Sequence, residues 1–181
     1  MLDLLYQRRS IRKYLDIPVS KEHRRQLIEA ALLAPSSHGN QPWEFIVVDD
    51  KDKLLKLSEA KAGAQPLRHA PLGIVVVADP AKSDVWIEDA AIAMTQMWLT
   101  AVSLGLGGCW IQIRNRQYTK DTSMSAEDYV CDILGIPVGR HVEAILACGY
   151  PDESRPAHRQ EELKTERVFQ NQYGNHDVFT S

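Results

Sequence analysis

One long apolar segment, residues 86–104, constrains the fold of this chain more than any other feature. Placed at 100° intervals, its polar residues share one face and its apolar residues fill a much wider one. The polar residues are Glu88, Asp89, Thr95, Gln96, Thr100 and Ser103, and the apolar ones are Ile87, Ala90, Ala91, Met94, Met97, Trp98, Ala101 and Val102. A helix of this length spans roughly 30 Å, enough to cross a domain. It is therefore the central core helix, a helix covered by a second subunit, or both.

Strands and helices alternate along the rest of the chain. Strand composition marks residues 43–48, 72–78, 109–113 and 142–148. Helical spacing and capping residues mark 2–9, a helix capped by Ser20 that runs to about Ala34, residues 51–61, and a helix capped by Ser125. This alternation predicts one central sheet between two helical layers, a three-layer α-β-α sandwich in a single domain.

Basic residues are concentrated at the start of the chain. The stretch RRSIRKY, residues 8–14, contains four cations, and up to Arg25 seven Lys and Arg stand against three Asp and Glu, although the formal net charge of the whole chain is −3. A nucleic-acid surface needs a wider basic field, so this pattern favours a small anion and no nucleic-acid partner. A solvated basic helix face is the alternative interpretation.

The cysteines and the hydropathy pattern bear on location. Cys109, Cys131 and Cys148 lie in apolar runs without CxxC spacing, which predicts reduced thiols, no structural zinc and a cytoplasmic protein. The first residues lack a signal-peptide core, and no segment has the roughly 20 apolar residues of a membrane span. We therefore expect neither a metal nor a membrane partner.

A polar loop, PSSHGNQP (residues 35–42), is fixed between two prolines. Its carboxamides, Asn40 and Gln41, donate and accept hydrogen bonds at once, which suits a heterocycle with alternating carbonyl and N–H groups. Ser36 and Ser37 add two hydroxyls. A turn or capping role for these residues is the alternative.

The glycines of GLGGCWI (residues 105–111) do not form a dinucleotide fingerprint. The segment runs from helix to strand, and Trp110 stands where the third glycine would be. Gly105 is the residue expected to end the helix in a left-handed conformation. Gly107 and Gly108 either leave backbone N–H groups open to a flat ligand or form a tight turn packed on the sheet.

Read in order, these stretches resemble the nitroreductase family of FMN-dependent NAD(P)H oxidoreductases. The resemblance rests on RRSIRKY, APSSHGNQPWEFIVV, GLGGCWI, LGIP and GYPDESRPAHR, which span nearly the whole chain. It implies an α+β, nitroreductase-like sandwich whose central sheet is mixed and largely antiparallel. It also implies one FMN-binding domain, residues 1–160, and an extension, 161–181, that wraps the partner subunit of a homodimer through Phe169, Tyr173 and Phe179.

The resemblance further implies an FMN site. Its residues would be Arg8, Arg9 and Ser10 at the phosphate and ribityl oxygens, Arg12 at the pyrimidine edge, Gly107 and Gly108 at the ring, Arg159 near the phosphate, and Ser36, Ser37, Asn40 and Gln41 reaching the flavin of the opposite subunit. The chain departs from the family where Gly39 replaces an Asn, so that either His38 or Asn40 takes that role.

The activity implied is hydride transfer from NADH or NADPH through flavin N5 to a small acceptor such as a nitroaromatic or a quinone, in a ping-pong cycle without a catalytic side chain. Three alternatives stay open: a non-catalytic flavin-binding or regulatory module, a dehalogenating or flavin-consuming family member, and an anion-binding protein without flavin. The short interval 79–84 leaves no room for a substrate-covering insertion, which favours a generic reductase.

Overall fold

A four-stranded antiparallel sheet lies between two helical layers in the computed structural model, which describes residues 1–175. The strands, in spatial order, are β1 (Trp43–Val48), β2 (Leu72–Ala78), β4 (His141–Gly149) and β3 (Gly107–Gln112). The helices are α1 (Leu2–Gln7), α2 (Lys21–Leu32), α3 (Lys51–Leu57), α4 (Trp86–Ser103) and α5 (Ala126–Leu134). The predicted α+β sandwich is confirmed. Within residues 1–175, the parallel pairing is a single bridge between Ser10 and Gly108.

Helix α4 is the central helix of one layer, as its apolar width predicts. It packs on the sheet and on α1 and α2, and Met94 and Met97 are fully buried. The predicted polar face is wrong at Asp89, which is only 2% exposed, while the apolar Ile92 is 40% exposed. Asp89 is buried because it accepts hydrogen bonds from Ser37 N and Ser83 Oγ, two groups distant in sequence.

The other elements follow the local sequence signals closely. Ser125 begins α5 with a reciprocal capping box, and β2 is buried along its whole length, as a continuously apolar strand should be. Helix α3 ends at Leu57 rather than near residue 61. The hydroxyl of Ser58 donates to Leu55 O at 2.6 Å, and turns rather than helix follow it.

Strand β3 begins at Gly107, so Gly107 and Gly108 lie in a strand instead of an open turn. A Cβ atom on Gly107 would lie 2.7 Å from Ile11, and one on Gly108 would lie 2.6 Å from Trp98. Close packing therefore requires both glycines. Gly105 ends α4 with φ of 73°, as expected.

The segment after β4 is mostly exposed. It contains two short 3₁₀ turns, Gln160–Glu162 and Thr165–Arg167, and the rings of Phe169 and Tyr173 lie 4.5 Å apart. The third expected anchor, Phe179, lies outside the described residues. The division of the chain at residue 160 stays a prediction.

Two other expectations concern the cysteines and membrane spans. All three cysteines are free; burial raises the pKa of Cys131 to about 11 and that of Cys148 to about 12, so both thiols are protonated at neutral pH. No helix within residues 1–175 combines the length and apolarity that a membrane span requires.

Candidate cofactor site

A pocket of about 250 Å³ opens beside the basic N-terminal segment. The segment before the first long helix and the segment after β4 form its walls. The lining residues are Arg8, Arg9, Ser10, Arg12, Arg155 and His158. Because guanidinium groups bind phosphate and carboxylate oxygens through paired, charge-assisted hydrogen bonds, the pocket is suited to an anion. We call it the arginine pocket.

Backbone pairing brings the two segments together. Ile11 N donates to Gly108 O at 3.0 Å, which joins the first segment to β3, and Asp152 N donates to Lys13 O at 2.9 Å. The hydroxyl of Tyr14 donates toward Ile11 O and Ala147 O, at 2.5 and 3.0 Å. The pocket therefore lies beside the start of β3 and the end of β4, which pair with each other, on backbone that the sheet holds in place.

Glu153 links the walls of the arginine pocket. Its Oε1 accepts hydrogen bonds from Arg12 N at 2.6 Å and Lys13 N at 3.3 Å, and its Oε2 lies 2.8 Å from Arg155 Nη2. These bonds, first of all the one from Arg12 N, hold the pKa of Glu153 below its ordinary value. The carboxylate thus orients one pocket arginine and fixes the backbone of another.

The lowered pKa of Glu153 predicts a pH dependence of stability. Glu153 stabilises the fold above its unfolded pKa near 4.5, and this contribution is lost as pH falls through the lower pKa of the folded protein. Wild type should therefore melt at higher temperature than Glu153→Gln at neutral pH, and the difference should shrink in acid. Thermal melts of both proteins across this range measure it. A difference that stays constant with pH would contradict a role for the charge.

The pocket thus brings together the residues predicted at the phosphate and ribityl oxygens, Arg8, Arg9 and Ser10, and also Arg12, which is predicted at the pyrimidine edge. Each arginine has its own environment. Arg9 donates to Pro156 O, and Arg12 Nη1 donates to Ser10 O at 3.3 Å. The guanidinium carbon of Arg8 lies 4.5 Å from the centre of the Trp98 ring. Burial, with a smaller contribution from neighbouring Arg9, lowers the pKa of Arg8.

Arg159 does not line the arginine pocket. Its side chain is 72% exposed and its Nε donates to Glu162 Oε1 at 3.1 Å, so its proposed role near the phosphate stays a prediction. Arg155 and His158 line the pocket instead. Both belong to the GYPDESRPAHR stretch, and only the fold of this loop distinguishes its cations.

The polar loop between α2 and β1 is anchored by its backbone. Ser37 N donates to Asp89 Oδ1 and Gln41 N donates to Ser36 Oγ, both at 2.9 Å. His38 and Gln41 adopt left-handed conformations, with φ of 51° and 45°. These anchors leave residues 38–41 exposed, available to a group outside this chain.

The loop and the arginine pocket lie at different positions along α4. Asp89 anchors the loop in the first turns of the helix, whereas Arg8 rests on Trp98, nine residues later. Nine residues of α-helix correspond to about 13 Å, and the loop contributes no residue to the lining of the pocket. The two predicted halves of the site therefore do not form one pocket within this chain.

The glycines of β3 lie next to the arginine pocket. Gly107 lines a neighbouring cavity of about 290 Å³, together with Arg9, Glu153 and Arg155. Gly108 is buried beneath Trp98. Their assignment to a flavin ring stays a prediction.

Fold and site together describe an α+β protein with a cationic pocket at one end of its sheet, suited to a small anion. The nitroreductase family model matches residues 5–150, and the chain belongs to this family. A solved FMN-dependent nitroreductase from Clostridium difficile R20291 is 48% identical over 96% of this chain and 100% of its own, with a TM-score of 0.93.

Two further relatives agree. A protein of Archaeoglobus fulgidus, provisionally named NADH dehydrogenase/NAD(P)H nitroreductase, is 39% identical over 158 residues, 85% of this chain and 87% of its own. The structure of NADPH:FMN oxidoreductase from Vibrio harveyi complexed with NAD⁺ is 25% identical, covers 95% of this chain and 77% of its own, and has a TM-score of 0.80.

Proposed function

We propose that this protein is an FMN-dependent NAD(P)H oxidoreductase that reduces a small organic acceptor, such as a nitroaromatic or a quinone. Its family and the names of its relatives support the enzyme class and FMN with NAD(P)H. The single observation that carries the proposal to this chain is the arginine pocket. The guanidinium groups around about 250 Å³, above all those of Arg8, Arg9 and Arg155, suit the phosphate monoester of a mononucleotide.

The residues present fit FMN. Arg8, Arg9 and Arg155 would hold the phosphate, Arg12 would face the pyrimidine edge of the flavin, and Ser10 offers a hydroxyl to the phosphate or to the neighbouring ribityl oxygens. The backbone of Gly107 and Gly108 lies beside the pocket, but Ile11 and Trp98 fill the space where their Cβ atoms would lie, so the approach of the flavin ring to these glycines is part of the proposal.

FMN, when bound, supplies the redox chemistry, since it takes a hydride from the nicotinamide at N5 and delivers electrons to the acceptor. The chain contributes binding and orientation. Cations beside the pyrimidine edge, Arg12 foremost, would stabilise negative charge there. No nucleophile or general base is needed, and donor and acceptor would enter the same site in turn.

We further propose a homodimer in the cytoplasm, with the loop from Ser36 to Gln41 reaching the flavin of the partner. An apolar surface on α1, α2 and α4 supports it. The exposed apolar residues there are Met1, Leu2, Leu5, Leu32, Leu33 and Ile92. A cavity of about 320 Å³ joins the same three helices, and the segment after β4 is mostly exposed.

An absorbance spectrum of the purified protein under anaerobic conditions tests the proposal. We expect a flavin band that bleaches when NADH or NADPH is added and returns when a quinone or nitroaromatic follows. A band that does not bleach would indicate a flavin-binding module without turnover. A colourless protein that stays colourless with added FMN would indicate an anion-binding protein, and either result overturns the proposed activity.

A further inference from the structure

The contact between Arg8 and Trp98 joins the arginine pocket to the central helix. We infer that Trp98 is a positioning residue for the phosphate-binding group of Arg8: the face of its indole ring holds the guanidinium at the pocket. The inference rests on the proposed function, because it takes the FMN phosphate as the anion. It extends the site to a residue of α4 that does not line the pocket itself.

Arg8 is oriented differently from the other pocket arginines. Arg9 and Arg12 donate to main-chain carbonyl groups, and Arg155 pairs with Glu153. Within residues 1–175, the Arg8 side chain has no hydrogen bond or ion pair, and its contact is the Trp98 ring at 4.5 Å. A ring face attracts the cation without using its N–H groups. All five donors of Arg8 therefore remain available for phosphate oxygens.

The indole N–H of Trp98 supports the same interpretation. The Nε1 atom is buried and has no hydrogen-bond partner among the described residues. Leaving a buried donor unpaired is unfavourable, so the N–H group does not explain the presence of tryptophan here. The ring face does, since tryptophan attracts a cation more strongly than phenylalanine.

Gly108 sets the position of this ring. A Cβ atom at Gly108 would lie 2.6 Å from Trp98 Cδ1 and 2.7 Å from Nε1. The missing side chain thus lets the indole lie directly against β3, and the same strand accepts the hydrogen bond of Ile11 N, three residues after Arg8. Strand, ring and arginine form one packed unit.

A comparison of FMN with riboflavin distinguishes a role of Trp98 in positioning Arg8 from a role in packing alone, because riboflavin lacks the phosphate that Arg8 would bind. Dissociation constants for both flavins would be measured by fluorescence quenching for wild type, Trp98→Phe, Trp98→Leu, Arg8→Ala and Arg8→Ala combined with each Trp98 variant. We expect Trp98→Leu to weaken FMN binding by about 5- to 20-fold and Trp98→Phe by less. Riboflavin binding should change by less than about 2-fold in both variants, and in the Arg8→Ala background neither Trp98 change should matter further.

Three results would contradict a positioning role of Trp98. Equal losses for FMN and riboflavin, equal losses with and without Arg8, or tighter FMN binding in Trp98→Leu would each overturn the inference. If circular dichroism shows that Trp98→Leu does not fold, the Phe variant and its double mutant decide alone. A wild type that binds neither flavin refutes the proposed function itself, whereas a wild type that binds both equally refutes only the phosphate's position and, with it, this inference.

Discussion

Replacing Arg8 and Arg9 together by alanine is expected to weaken FMN binding by about 10²- to 10⁴-fold while the protein stays folded. Each charge-assisted hydrogen bond from a guanidinium contributes about 1.5–3 kcal/mol, and both side chains line the arginine pocket. Neither is needed for the core, because the backbone pairing of this segment passes through Ile11 and Lys13. Titration of the variant apoprotein with FMN, followed by flavin fluorescence, measures the loss.

A matched control distinguishes local contacts from net charge. Lys53→Ala with Lys56→Ala removes two charges from the exposed side of α3, in the opposite helical layer, and alanine suits a helix. This variant should bind FMN almost like wild type. Two distant positive charges attract the phosphate only weakly, because salt screens the interaction over this distance. Unchanged flavin occupancy in the arginine variant, or equal losses in the two variants, would show that the phosphate binds elsewhere.

The signals that predicted the fold are local ones. The Ser20 and Ser125 caps, the continuously apolar strand β2 and the wide apolar face of α4 all act within a few residues of sequence, and the structure confirms each of them. The spatial order of the strands is a different matter. It depends on which apolar strands pair across the sheet, and β2 and β4 meet at its centre although the long helix and β3 separate them in sequence.

The candidate site could be predicted only in part, for the same reason. RRS is a local cluster of cations, so the sequence indicates an anion pocket directly. Arg155 and Arg159 are both cations of one loop, and Arg155, which donates to Glu153 and pairs with it, is the one that lines the pocket. Trp98 gave no signal, because an aromatic residue on the apolar face of a helix ordinarily serves the core.

Helical periodicity alone is misleading at Asp89, which it places on the exposed face although the residue is buried. Asp89→Ala should lower the free energy of unfolding by about 2–4 kcal/mol, since it leaves Ser37 N and Ser83 Oγ without their acceptor in a buried site. In a domain of this size, each kcal/mol lowers Tm by about 2–4 °C. Thermal and urea denaturation measure the change.

Glu88→Ala is the matched control, because Glu88 lies in the same helical turn, has the same charge and is exposed. Its effect should stay within about 0.5 kcal/mol. Asp89→Asn, which retains one acceptor oxygen, should fall between the two. Amide exchange adds a local test: without Asp89 the left-handed residues His38 and Gln41 lose their support, so exchange at residues 36–41 should accelerate more than elsewhere. If Asp89→Ala proves no more destabilising than Glu88→Ala, and exchange in the loop is unchanged, then the buried carboxylate does not hold the loop that we propose reaches the partner's flavin.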